Sequence, residues 1–429
     1  MAGAVRNILD HHGVTAPHTG EPFSESLLMG IGGGLGAEYA KWAFKGIDPS
    51  RPRISRLYLR FHHSKNYIEK KEEAYLQKLT KRINAPLTVH ETTNREHATH
   101  FLSESVQAGK PVLVQLSIWQ GLNSRQAVFD RYHNNPGFFP PLLYDEFVSF
   151  LPYYSLPYPW ISRHLATVYG IEIDKERVHI SDFSNQPLTI STQQLIESRN
   201  IIKGWKNAAY TIEPPITKPN LAKAIRSGIK DCVDSLLHER TVVSGAHIRT
   251  EAWQAMANNI GDFKGKRGWL TLFNQPWQLF DTLTRLHAQI AFHNSDGGAL
   301  RSSYADFLEE ASEILAKPAI KPVAHQFSDI GIMWDEIGTT ALNDDVPELL
   351  QVRQAALNWH HTFKAYGSTQ SKSLNTLSKK IQTIRMAFSQ EIPLTNRELQ
   401  TLLEELSVRF HEVYEAEKTA LQALRTAMK

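Results

Sequence analysis

Arg163-His164-Leu165-Ala166-Thr167-Val168-Tyr169-Gly170 and, past the polar turn Asp174-Lys175-Glu176, Arg177-Val178-His179-Ile180-Ser181-Asp182 decide the fold of this chain. Both runs are rich in β-branched and aromatic residues and are bounded by turn formers, so they read as strands. A return this short leaves no room for a crossover helix, which makes the pair antiparallel. The same pattern recurs at Ile54–His62, Pro111–Ile118, Leu188–Thr192 and Asn207–Ile212. Helical spacing marks Phe23–Met29, Tyr67–Ile83 and Glu96–Ala108, and residues 1–12 read as a helix already under way, stopped by Gly13.

Glu213-Pro214-Pro215-Ile216-Thr217-Lys218-Pro219 then interrupts. Its prolines cannot sit inside a helix or a central strand, so the stretch reads as a linker. Beyond it, apolar residues follow helical spacing at Ala222, Ile225, Ile229, Val233 and Leu236. Further helices are predicted at Thr250–Asn259, Trp269–Asn294, Ser302–Ala316, Val323–Leu342, Pro347–Tyr366, Ser373–Ser389 and Asn396–Met428, with Thr395 or Asn396 capping the last. The expected fold is α+β: an antiparallel domain at 1–213, then an all-helical domain at 220–429.

The 429 residues suffice for two cores, and a net charge of +3 argues against nucleic acid as the main partner. One cysteine excludes an intramolecular disulfide framework and agrees with a reducing cytoplasm. The sequence holds no apolar run long enough for a membrane span and no apolar signal segment near Met1. The adjacent histidine pairs His11-His12, His62-His63 and His360-His361 point apart on regular elements, so no metal is expected.

The chemistry lies in His164 and Asp182. An imidazole on one strand with an acid on the next is how papain-like enzymes hold a general base behind a cysteine. The partner thiol is missing: Cys232 lies far downstream, on an amphipathic helix where a small buried hydrophobe is expected. Gly30-Ile31-Gly32-Gly33-Gly34-Leu35-Gly36 imitates a dinucleotide fingerprint but follows a helix rather than a strand. Gly32, Gly33 and Gly34 are instead candidates for close backbone approach beside a ligand. The aromatic-rich stretch 136–160 precedes the base, and Tyr154, Tyr158 and Trp160 are candidates to roof a cleft there. Residues Lys41–Arg82 hold twelve Lys or Arg against four Asp or Glu, a basic face suited to an acidic partner.

Asn7-Ile8-Leu9-Asp10-His11-His12-Gly13, Ser24 to Gly36, Gly109-Lys110-Pro111-Val112-Leu113-Val114, His164 to Gly170, Val178 to Asp182 and Leu188-Thr189-Ile190-Ser191-Thr192 resemble the N-terminal domain of the butirosin biosynthesis protein H-like family. Gly297 to Ala311 and Trp334-Asp335-Glu336-Ile337 resemble the helical domain of unknown function that accompanies it. The resemblance implies a papain-like domain and an acyltransferase. Such an enzyme moves an (amino)acyl group from an acyl carrier protein's phosphopantetheine thioester to an amine of a small acceptor in specialised-metabolite biosynthesis. Thiol attack, an acyl-enzyme and aminolysis are the implied steps, and the phosphopantetheine belongs to the partner, so no resident cofactor is expected. His164 matches the family's base and Asp182 its orienting acid, while the basic face would dock the carrier protein.

Two departures stand out. The family's nucleophilic cysteine belongs just ahead of Gly3-Ala4-Val5-Arg6-Asn7, so residues 1–213 are expected to lack their nucleophile segment, with the true start upstream. Ser162-Arg163 replaces the glycines that commonly precede the base. The alternatives are a cysteine peptidase or amidase-like hydrolase, in which water is the acceptor, and a catalytically inactive binding protein on the same scaffold.

Overall fold

The first helix ends where a glycine takes a positive φ: α1 (Ala2–His11) is closed by Gly13 at φ +66°. The computed structural model describes residues 1–44, 54–62, 73–117, 163–182, 184–200, 204, 206–237, 242–243, 246–292, 297–388 and 391–429. After α1 come α2 (Glu25–Gly32), β1 (Leu35–Phe44), β2 (Ile54–His62), α3 (Glu73–Arg82), β3 (Leu87–His90), α4 (Arg95–Gln107) and β4 (Val112–Ser117). The chain continues through β5 (Arg163–Glu172), β6 (Arg177–Ser181), β7 (Leu188–Ser191), α5 (Thr192–Asn200), β8 (Ala209–Ile212) and α6 (Leu221–Leu236). Next are β9 (Val242–Val243), β10 (Ala246–Ile248), α7 (Glu251–Ile260), α8 (Trp269–Leu272), α9 (Pro276–Ala291) and α10 (Arg301–Ile314). The last four helices are α11 (Lys321–Ala341), α12 (Pro347–Tyr366), α13 (Ser371–Ala387) and α14 (Asn396–Ala427). The architecture is therefore α+β with antiparallel sheets and a helical C-terminal region.

Two compact units form, each from three stretches of chain: residues 1–23, 84–217 and 354–386 in the first, and 24–83, 218–353 and 387–429 in the second. The proline-rich stretch holds one of the crossings, between Thr217 and Lys218. The others fall at 23/24, 83/84, 353/354 and 386/387.

The first unit is built on a six-stranded sheet in the order β3-β8-β4-β5-β6-β7. Val112, Leu113, Val114 and Leu116 of β4 are all buried, and so is the polar Gln115 between them, so this strand is covered on both faces. β6 alternates instead, with Val178 and Ile180 buried and Arg177 exposed. α1 contributes Val5, Ile8 and Leu9 to the core, α4 contributes Ala98 and Leu102, and α5 contributes Leu195.

The second unit contains the sheet β2-β1-β10-β9. β1 escapes a sequence reading because it grows out of the glycine run and carries small residues at Gly36, Ala37 and Ala40. It forms because β2 supplies a ladder from Leu35↔His62 to Phe44↔Ile54, interrupted by a bulge between Leu35 and Glu38. The short β9–β10 hairpin, within the half expected to be all helical, extends that sheet through Glu38↔Ile248 and Tyr39↔His247. The expected helix Trp269–Asn294 is split into α8 and α9, since Pro276 can open a helix at its first turn but not continue one. α14 starts as expected, with Thr395 in a capping box with Glu398.

At the centre of this unit lie Arg301 and Glu417, 0% and 1% exposed, with Nε to Oε1 at 2.6 Å. The indole N–H groups of Trp334 and Trp253 donate to Glu417 Oε1 and Oε2, both at 2.9 Å. The guanidinium carbon lies 5.3–5.7 Å from the ring centres of Phe61, Trp253 and Trp334. A buried pair satisfied on this scale is costly to break singly, because the remaining charge is stranded. Glu417→Ala is expected to destabilise the protein by about 3–5 kcal/mol in urea titrations.

His287, on α9, is buried and donates from Nδ1 to the Gly338 carbonyl at 2.9 Å, while Nε2 finds no partner among the described residues. Burial lowers its pKa from 6.5 to about 4, with a smaller push in the same direction from Arg353. The unfolded chain therefore takes up this proton before the folded one does, and stability falls as pH drops from 6.5 towards 4. His287→Gln should remove about 3 kcal/mol of that pH-dependent loss, as read from denaturation midpoints across this range.

Candidate functional site

β5 and β6 pair as expected, with Thr167↔Ser181 and Val168↔Ile180 in register and a bulge between Val168 and Gly170. On the other side of β5, position 164 pairs with Leu116 of β4. Continuing the β5–β6 register one residue past Ser181 sets Asp182 opposite Ala166. Residues two apart share a face, so backbone positions 164 and 182 belong to the same row of the ladder. Asp182 is half-buried, whereas the side chain of His164 lies outside the described residues.

Two hydrogen bonds give α1 its direction. His11 Nε2 meets the Gly109 carbonyl at 2.8 Å, and Asn7 Nδ2 donates to Ser181 Oγ at 2.9 Å. Running back from Asn7, the helix heads towards the end of the sheet that carries position 164. Six helical residues from Asn7 to Met1 cover about 9 Å. Three strand residues from Thr167 to position 164 cover about 10 Å. The head of α1 is therefore directed towards the end of the sheet that carries position 164. Ser181 belongs to the alternate row from 164 and 182, so the contact from α1 reaches the face of the β5–β6 ladder opposite to that row.

The other predicted site residues are placed as follows. Gly32 ends α2, and Gly33 and Gly34 take φ values of +128° and +70°. Their neighbours are protein: a side chain at Gly32 would run into the Tyr75 ring, and one at Gly34 would lie 2.6 Å from Tyr304 Cε2 and 3.2 Å from Cys232 Sγ. These glycines are in the second unit, while 164 and 182 are in the first. Tyr154, Tyr158, Trp160 and the rest of 136–160 lie outside the described residues. Cys232 is fully buried, and burial pushes its thiol up to about 11, which leaves it protonated at neutral pH.

Part of the basic segment is neutralised within its own unit. Lys78 and Arg82 both pair with Asp231, at 2.7 and 2.9 Å, and Arg60 pairs with Glu38 at 3.5 Å. The two cations beside it bring Asp231 down to about 2. Among the described residues no group of three His, Cys, Asp or Glu is placed to hold a metal ion.

One imidazole–carboxylate pair was not singled out from the sequence. His179 Nε2 lies 2.7 Å from Glu172 Oε1, and Lys175 reaches the other oxygen at 2.5 Å. These hydrogen bonds, from Lys175 first and His179 second, lower the Glu172 pKa. The signal was present in the register: Gly170 sits opposite His179, and a side chain there would come within 2.9 Å of its ring.

An antiparallel sheet with a helix whose head points to a His/Asp strand end defines a class of α+β proteins rather than one activity. Residues 1–120 match the family described as butirosin biosynthesis protein H, N-terminal, and residues 197–362 match a domain of unknown function. The chain thus carries a region matching each of these two family models, and the first match is consistent with a papain-like fold. That family takes its description from a butirosin biosynthesis protein. No curated protein matches the chain. Among the described residues, no helix is long and apolar enough to cross a membrane.

Gly34→Ala is expected to destabilise the second unit by about 1–3 kcal/mol through overpacking against Tyr304, with thermal unfolding as the readout.

Proposed function

We propose that this protein transfers an (amino)acyl group from the phosphopantetheine thioester of an acyl carrier protein to an amine of a small acceptor. The carrying observation is the shared row of positions 164 and 182, at the end of the sheet towards which α1 runs back from Asn7. His164 acts as general base and Asp182 holds its tautomer. The amine nitrogen bonds to the thioester carbonyl carbon, the C–S bond breaks, and the imidazole relays the amine proton to the departing thiol. Where a cysteine mediates the transfer, the same imidazole first takes the thiol proton. Cys232 is excluded from that role by its burial and its raised pKa. The exposed cations of the basic segment, such as Lys81, form the docking face for the acidic carrier. Tyr154, Tyr158 and Trp160 are assigned to the substrate cleft with that reading.

A second reading, a binding protein on the same scaffold, is favoured by the buried thiol of Cys232 and by α1 meeting the alternate row at Ser181. Incubation with an acyl-loaded carrier and an amine, followed by mass spectrometry of carrier and acceptor, separates the two. Acyl transfer is expected, and His164→Ala should slow it about 100-fold or more. Transfer that is indifferent to His164→Ala, or carrier binding without transfer, favours the binding protein.

A further inference from the structure

At the opposite end of the β5–β6 hairpin, α4, α5 and the 173–178 turn enclose a pocket of about 320 Å³. Its walls are mostly apolar, with Leu102, Ile171, Val178 and Leu195 among them. Ile171 stands seven residues along β5 from position 164, roughly 23 Å of strand, so this is not the candidate catalytic end.

The wall also carries Arg199, only 3% exposed. Its Nη2 donates to the Asn207 carbonyl at 2.5 Å, while its Nε has no hydrogen-bond partner. No carboxylate pairs with it among the described residues. The buried guanidinium of Arg301, by contrast, has Glu417 at 2.6 Å. A guanidinium taken out of water without a counter-charge costs several kcal/mol, and burial accordingly lowers the Arg199 pKa to about 10. It is still a cation at neutral pH, with forked donors left over for a planar anion.

We propose that this pocket is a binding site for a small organic carboxylate, whose anionic group pairs with Arg199 while its apolar body lies against Leu102, Ile171, Val178 and Leu195. The charge count selects the class. One buried cation matches one negative charge, whereas a doubly charged phosphate would leave a charge uncompensated, and Glu176 on the same wall is exposed and adds only a screened repulsion. Arg95, also on the wall, is exposed and adds only a screened attraction at the mouth. The proposal is independent of the acyl-transfer reading, because it concerns a different end of the sheet and needs no reaction.

The full chain is titrated with 4-phenylbutyrate, its neutral amide 4-phenylbutyramide and phenyl phosphate, with ligand-detected NMR saturation transfer as the readout. The carboxylate is expected to bind at least tenfold tighter than either analogue. Arg199→Met should bring it down to the level of the amide. Thr99→Trp, on the pocket wall but only half-buried, should block all three without emptying the core, which covers the case in which the Arg199 variant fails to fold. Equal binding of acid and amide, tighter binding of phenyl phosphate, no binding at all, or binding untouched by Thr99→Trp would each overturn the assignment.

Discussion

Glu417 accepts from three donors at once, the Arg301 guanidinium and the indoles of Trp253 and Trp334, and these come from α14, α10, α7 and α11. Phe61 of β2 completes the cage, and the Gly36 carbonyl of β1 accepts a longer contact from Arg301 at 3.4 Å. A single charge pair thus specifies how four helices and a two-stranded ribbon come together. Apolar packing alone would tolerate many arrangements of these helices, whereas two indole donors and a guanidinium can satisfy one carboxylate in very few. The surrounding core gains a unique register from this cluster at the risk of a large penalty if any member is lost.

The first unit is organised differently, by strand register rather than by a polar centre. Its strand β4 is buried on both faces, and positions 164 and 182 fall towards strand ends. The two ends of β5–β6 are chemically distinct. One carries positions 164 and 182, and the other carries the Glu172–His179 pair and the pocket with Arg199. One hairpin therefore presents two separate surfaces at which a small molecule could be held.

Much of the fold was legible because most segments announce their period. Pro347–Tyr366 was read to the residue and Asn396–Met428 to within one, since long amphipathic helices repeat their apolar positions many times. The Ile54–His62 strand was equally plain from its β-branched and aromatic residues. β1 was not, because Gly36, Ala37 and Ala40 carry no strand preference and its pairing with β2 is a tertiary fact. Nor could spacing show that 24–83 packs with the helical segments, since Phe61 declares itself apolar without naming Trp253 or Trp334 as its neighbours. At the site, the shared row of 164 and 182 follows directly from two-residue periodicity. Arg199 was invisible for the opposite reason: in Thr192-Gln193-Gln194-Leu195-Ile196-Glu197-Ser198-Arg199 it looks like any solvated helix charge, and only packing reveals its isolation.

The braided order of the segments bears on how this gene can be dissected. A cut in the proline-rich stretch gives an N-terminal piece that carries Leu57, Leu59 and Phe61 without the tryptophans that shelter them, and a C-terminal piece whose tryptophan cage has lost a wall. Neither fragment would inherit a finished interior, so the two halves must be made as one polypeptide or meet again by complementation.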